Sequence, residues 1–410
     1  MMLVKNIWSV VFILGYCSVP VQGQSSAGNP PVLSLDEKVL TANKKLVRSA
    51  DVSIMPAYRQ LLADAAKALA LKTVSVMEKS NFPPSGNKHD YMSIAPYFWP
   101  DSSKPGGVPY MNRDGQINPE VKQYMDKIYL AEVCEAVSTL GLAWYFSGDK
   151  KYATHAGKLL RTWFLDTATK MNPNLNFAQA VKGRTTGRGY GLIDTRHFIK
   201  LIDGIGLLSN SPGLTKKDHS GLQQWFTDFL QWMQTSKNGI EEMNTKNNHA
   251  VWYDQQRLCF ALFTGQQELA KAVVASARER LEKQMNDSGE FPRELERTIS
   301  LHYTVFVLDP FFTIADLAAN LDLDLWSYTT ASGKSLKKGF DVLLPYLLKE
   351  KQWQHPQILP FSYQEAVPLL VKGAEKYNCA SCKTGAREIL GNKAASERMN
   401  LTTNINLSTN

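Results

Sequence analysis

Phe146-Ser147-Gly148, followed by Ala153 and Arg161, returns at the same spacing as Phe263-Thr264-Gly265, followed by Ala270 and Arg278. Each copy reads as a helix ending on a bulky apolar residue, a tight turn with glycine at a positive φ, and a returning helix with a small residue at the contact. Repeated antiparallel helical hairpins either stack as a solenoid or close on themselves. The interval between copies is too irregular for a tandem array. The expected fold is therefore all-α, an α/α barrel in the form of an incomplete toroid.

Helical periodicity dominates from about Leu35 onward, and alternating β-branched runs are scarce. Helices are expected over 57–79, 119–147, 150–165, 195–209, 215–235, 247–263, 266–285, 309–320, 334–348 and 363–377, with Asp194 and Thr195 capping the helix that carries His197. Two long stretches break the pattern. Asn87 to Asn118 holds Tyr91, Tyr97, Phe98, Trp99 and Tyr110, an aromatic content that argues for an ordered loop over a groove. Met171 to Asp194 contains Gly187-Arg188-Gly189, but no strand precedes it as a dinucleotide site requires.

Lys5, the apolar run Ile7 to Tyr16 and the small residue Gly23 read as an export signal cleaved before Gln24, which implies a secreted or periplasmic protein. The apolar run is shorter than the roughly 20 residues of a membrane span, and no later segment reads as one. Leu14-Gly15-Tyr16-Cys17 departs from a lipid-attachment site at the bulky Tyr16. A linker over 24–34, one catalytic domain over 35–390 and a polar tail over 391–410 complete the expected organisation, in a monomer. Cys134 and Cys259 read as buried thiols, while Cys379-Ala380-Ser381-Cys382 is spaced for a small disulfide loop in an oxidising compartment.

The net charge of +8 favours an anionic partner. Basic residues are scattered among acids in an exported chain, so an acidic glycan fits better than nucleic acid. Asn247-Asn248-His249-Ala250-Val251-Trp252 and Phe291-Pro292-Arg293-Glu294-Leu295-Glu296-Arg297, with His302-Tyr303 beyond, supply an amide, an imidazole, a guanidinium and a phenol. That set suits proton removal next to a carboxylate: amide and guanidinium neutralise the acid group, phenol and imidazole move protons. Taken singly, these residues have plain readings: Asn248 caps a helix, His249 is a hydrogen-bonded core histidine, Arg297 pairs with Glu294 and Tyr303 is a half-buried aromatic. The combination carries the chemistry.

Together with Gly289-Glu290 and Thr298, these motifs resemble the alginate-lyase type of polysaccharide lyase, an all-helical α/α toroid. His89-Asp90-Tyr91-Met92-Ser93-Ile94-Ala95-Pro96-Tyr97-Phe98-Trp99-Pro100, Asn176-Phe177-Ala178-Gln179 and Gly187-Arg188-Gly189 fit the branch that includes alginate and glucuronan lyases. The resemblance spans roughly residues 85–310. Better-known members place a His after the Tyr, whereas His302 precedes Tyr303 here. The resemblance implies β-elimination of a 4-linked polyuronate, alginate (mannuronate-containing) or glucuronan, without a cofactor. Asn248, His249 and Arg297 would hold the carboxylate, and Tyr303, its pKa lowered by Arg297, would move the proton. Tyr91, Trp99, Gln179, Arg188 and His89 are the candidates for neighbouring sugars. Two alternatives stand beside this. One is a glycoside hydrolase using acids among Asp90, Asp101, Asp194, Glu294 and Glu296; the other is a glycan-binding protein without turnover.

Overall fold

A computed structural model describes residues 31–408; the export signal, its cleavage point and Cys17 lie outside them. The helices are α1 (Glu37–Arg48), α2 (Met55–Leu69), α3 (Met125–Ser147), α4 (Lys150–Leu160), α5 (Phe198–Leu207), α6 (Lys216–Thr235), α7 (Lys237–Met243), α8 (Asn248–Phe263), α9 (Gln267–Gln284), α10 (Pro292–Leu295), α11 (Ser300–Ala318), α12 (Leu336–Leu347), α13 (Val367–Tyr377), α14 (Ala380–Leu390) and α15 (Met399–Thr402). Helices α3, α5, α8, α11 and α13 pack side by side in chain order as an inner ring, with α4, α6, α9, α12 and α14 outside them. Between α13 and α3 the gap in the ring of hairpins is filled by α2 and the C-terminal segment. The fold is an incomplete α/α toroid.

Both sequence echoes are hairpins. Gly148 and Gly265 each take φ 74° at the turn, and Ala153 and Ala270 are fully buried where the returning helix meets its partner. The two layers are joined by an aromatic core in which Phe164, Phe198, Trp225, Phe226, Phe229 and Phe260 meet mostly edge to face. Backbone approaches closely at Gly157 on α4, where an added Cβ would stand 2.0 Å from the Gly213 carbonyl oxygen. Because a backbone atom cannot swing aside, Gly157→Ala is expected to cost about 1–3 kcal/mol by overpacking, measured by denaturant unfolding.

Several boundaries differ from the sequence reading. Residues 70–79 leave the helix, and α3 starts at Met125 after a 3-10 turn over Pro119–Gln123. Helix α11 starts at Ser300 rather than 309. Pro310 sits inside it and removes one backbone donor without ending it, because the flanking apolar turns are buried in the ring. This helix and its extension, Ser300–Leu321, are long and apolar enough for a membrane span, against expectation, yet 61% of the apolar window is buried inside the protein. Asp194 does not cap α5. Its carboxylate is buried and accepts from the Tyr91 and Ser93 hydroxyls at 3.1 and 2.6 Å, and Lys127 lies 2.8 Å away. Cys379 and Cys382 are bonded, and Cys134 and Cys259 are buried thiols. The expected polar tail is instead part of the fold: Leu401 and Leu407 are buried, and Asn43 donates to the Asn400 and Leu401 carbonyls.

The two long loops are ordered and tied together. Strand β1 (Met92–Ile94) pairs in parallel with β4 (Phe177–Ala180), while β2 (Phe98–Trp99) and β3 (Met111–Asn112) form a small antiparallel ribbon. This arm lies against the end of the toroid at which α8 and α11 both begin, since Asp114 on the arm bonds Arg297 and Thr298 just ahead of α11.

Candidate active site

The tandem asparagines at the start of α8 have different tasks. Asn247 is the N-cap, accepting the His249 backbone N–H at 3.2 Å. Asn248 is fully buried, and its backbone N–H and side-chain amide donate to the two oxygens of Glu294 at 2.6 and 2.7 Å. Glu294 on α10 thereby joins one sequence motif to the other. Burial raises the Glu294 pKa, while the Asn248 bonds and the charges of Arg297 and His249 oppose the shift.

His249 is presented by the first turn of α8. Its Nδ1 lies 2.7 Å from Glu242 on α7, a fully buried carboxylate raised by burial and restrained by the imidazole. A carboxylate on Nδ1 places the ring proton there and leaves Nε2 free. The other face of the ring meets Tyr190 at 4.4 Å between centroids. Arg188 lies over Tyr190 at 4.8 Å and over Phe98 at 5.0 Å, and donates through Nη2 to Gln179 at 2.9 Å. Burial lowers the Arg188 pKa, and Tyr190, Glu242, Glu241 and Asp194 oppose it. Gln179 holds φ at 49°, a left-handed backbone that costs a non-glycine residue energy, and its N–H donates to Ser93 Oγ at 2.8 Å. Local strain is thus kept where the side chain must meet Arg188.

Just ahead of α11, the Arg297 guanidinium lies 3.6 Å from the centre of the Tyr303 ring on that helix, and the Tyr303 hydroxyl donates to the Tyr97 hydroxyl at 2.9 Å. Arg297 is clamped by Asp114, with Nε 3.1 Å from Oδ2 and Nη2 bonded to Oδ1, while the Thr298 N–H donates to the same carboxylate at 3.0 Å. Burial opposes ionisation of Asp114, but these bonds hold its carboxyl below the usual range. Burial also raises the Tyr303 phenol well above its ordinary value, and Arg297 offsets only part of the shift. The expectation of a lowered phenol pKa is therefore corrected: desolvation outweighs the adjacent cation.

The remaining candidates differ in what their side chains can reach. Tyr91 is fully buried with its hydroxyl on Asp194, so it offers no face to a sugar. His89 Nδ1 lies 2.6 Å from the Lys170 carbonyl oxygen and ties the two loops together. Trp99 donates to the Gln116 carbonyl at 2.9 Å, with Arg113 5.3 Å over its ring, two residues along the arm from Tyr97. Arg297 pairs with Asp114 rather than with Glu294. His302 turns to Glu365, away from Tyr97. The sequence reading passed over Tyr97, Asp114, Tyr190 and Glu242 as site residues, and gave Glu294 a place only in the hydrolase alternative. Only Glu294 had a local signal, its place within the motif of Arg297. Four of the five acids of the hydrolase alternative are occupied, Asp90 by Ser85 and Asn172, Asp101 by Ser103, Asp194 by Tyr91 and Ser93, and Glu294 by Asn248, while the Glu296 carboxylate has no hydrogen-bond partner among the described residues.

An inner-ring end that combines a phenol under a guanidinium with an imidazole on a buried acid is chemically suited to proton transfer, and the chain is a polysaccharide lyase. The sequence profile described as alginate lyase matches residues 75–353, well over half of the chain, and the protein belongs to the alginate lyase family. A crystal structure of an alginate lyase from Bacteroides ovatus is 38% identical, superposes with a TM-score of 0.86, and is matched over 91% of this chain and 99% of that one. Alginate lyase A1-III from Sphingomonas species A1, at 17% identity and a TM-score of 0.55 over 85% of this chain and 88% of that one, shares the fold. No curated protein matches the chain.

Proposed function

We propose that the protein cleaves alginate by β-elimination at 4-linked uronates, leaving a 4,5-unsaturated sugar at the new non-reducing end. The observation that carries this reading is the pair of proton-handling groups at one end of the inner ring, Tyr303 stacked on Arg297 and His249 bonded to Glu242. The C5 proton is acidic only when the carboxylate beside it is neutralised. With Asn248 turned to Glu294 and Arg297 to Asp114, the group best placed for this is Arg188, whose Nη1 has no partner among the described residues, supported by His249. Arg297 then acts on the phenol rather than on the substrate.

The free protein keeps Tyr303 protonated, so the phenol is ready to protonate the departing O4. In β-D-mannuronate the C5 proton and O4 lie on one face, and Tyr303 serves both steps, taking the proton through its ionised fraction. Arg297 at 3.6 Å favours that fraction and supports action on mannuronate-containing alginate, with glucuronan as the second polymer of the same geometry. In α-L-guluronate the groups lie on opposite faces, and the free Nε2 of His249 takes the proton. The export signal read from the sequence would place the enzyme outside the cytoplasm with its polymer.

The test is initial rates on polymannuronate, polyguluronate, glucuronan and hyaluronan across pH. Because burial raises the Tyr303 pKa, its base form is scarce near neutrality and grows as pH rises. The rate on polymannuronate should therefore climb into the alkaline range. A polymannuronate rate that falls from neutral pH upward on a stable enzyme would contradict the role given to Tyr303, and absence of turnover on all four polymers would overturn the reading.

A further inference from the structure

Below the ring contact between Trp252 and Phe306, at 4.9 Å, the inside of the toroid is hollow. A cavity of about 900 Å³ is walled by α3, α5, α8, α11 and α13 and by the C-terminal segment from Lys393 to Thr403. It is lined by residues on the far side of Trp252 and Phe306 from His249 and Tyr303, neither of which borders it. Its size falls in the range of small-ligand pockets, roughly 300–1,000 Å³.

Much of the charge around this cavity is already committed. Lys372 lies 2.8 Å from Asp316, Arg398 is 2.8 Å from Glu135, and Asp203 accepts from Ser34 and the Leu33 N–H. A second set of lining groups interacts through space, Arg196 with Asp194 and Asp309, and Asp309 with Lys200, and leaves hydrogen-bonding positions open. Arg196 donates only through Nη1, to the Ile193 carbonyl at 3.2 Å. The Asp309 carboxylate and the His197 ring have no hydrogen-bond partner among the described residues. Trp252 Nε1 and Gln255 Oε1 are buried without a partner, on side chains 5% and 3% exposed. Both atoms lie out of reach of solvent, so they face the surrounding packing and not the open cavity. His197 is held neutral, its pKa pushed down to about 3 by burial and by the cations Arg196 and Lys200.

The lining combines the half-buried ring of Phe306, one guanidinium with free N–H groups, and neutral or acidic hydrogen-bonding groups. An aromatic ring with dispersed donors and acceptors suits a hydroxyl-rich ring, and a forked guanidinium suits a carboxylate. We propose that this cavity is a second saccharide site that takes a short uronate, with Arg196 on the carboxylate and Asp309 on hydroxyls. The choice of a uronate rests on the lyase reading above, because such sugars are what that reaction releases. The site would hold product apart from the catalytic end.

The experiment is calorimetric titration of the whole protein with sodium D-mannuronate and, as a control without the carboxylate, D-mannose. Arg196→Met should weaken mannuronate at least about tenfold, the loss expected for a charge-assisted pair, with initial rates on alginate within about twofold of the parent. Asp309→Asn should weaken both sugars, and it provides an independent result if Arg196→Met does not fold. Mannuronate binding that survives both substitutions but disappears in Arg188→Ala would overturn the proposal, because the sugar would then occupy the catalytic end alone. Arg196-dependent binding in a protein that turns over no polyuronate would sustain the cavity site while refuting the proposed function.

Discussion

Tyr303→Phe should lower kcat on alginate by about 10³–10⁴-fold, the upper part of the range for one acid–base group, because the same oxygen serves both proton transfers on mannuronate. KM should change little. The phenyl ring keeps its contacts with Arg297, His302 and Phe306, and the variant loses only the hydrogen bond to Tyr97, worth about 1 kcal/mol of stability. Steady-state kinetics paired with a thermal melt checks both parts. A variant retaining a tenth or more of the parental kcat would remove Tyr303 from the chemistry. On polyguluronate, His249→Ala should be the more damaging change, since Nε2 of that ring is the base there.

Arg280→Met should be the most destabilising single change outside the site. Asp254 on α8 is fully buried, and its carboxylate accepts from Arg280 Nε on α9 at 2.5 Å; Arg280 Nη2 also reaches the Met243 carbonyl on α7 at 2.8 Å. Removing the cation strands a buried carboxylate and should cost about 3–5 kcal/mol. Burial already raises the Asp254 pKa in the parent, and loss of Arg280 removes the main opposing influence. A carboxyl whose folded pKa exceeds its unfolded value binds more protons when folded, and the variant raises that pKa further, so its deficit should widen as pH rises through the parent's already raised Asp254 pKa and shrink in acid. Denaturant unfolding at pH 5 and pH 8 measures this. A deficit independent of pH would mean that Asp254 is not the group left unpaired. Since α7, α8 and α9 together hold Glu242 and His249, activity should fall with stability.

The fold was legible where local chemistry and tertiary packing agree. Glycine at the ends of α3 and α8 marks a positive φ by itself, and Ala153 and Ala270 mark close helix contact. The start of α11 reads too late from sequence, at 309, because Pro310 suits a first helical turn whereas here it is carried through inside the helix by buried neighbours on both sides. The C-terminal segment looked polar, yet a few apolar residues such as Leu401 and Leu407 suffice to seat it in the seam of the ring. For the site, the reactive side chains could be read from the two motifs, but not their partners. Asp114 lies 183 residues before Arg297, and nothing in its own neighbourhood marks it as the acid that clamps that guanidinium. Tyr303 carries the same lesson in electrostatic form: adjacency to Arg297 was readable, whereas the burial that outweighs it depends on the whole ring.

The most direct test of the lyase assignment follows two signals while the protein acts on alginate, the ultraviolet absorbance of a new carbon–carbon double bond conjugated to the carboxylate and the appearance of reducing ends. Elimination generates both together, one double bond for each chain cut, and that parallel rise is the predicted result. Reducing ends accumulating without the absorbance would mean hydrolysis, and would contradict the chemistry assigned to Tyr303, Arg297, His249 and Glu242.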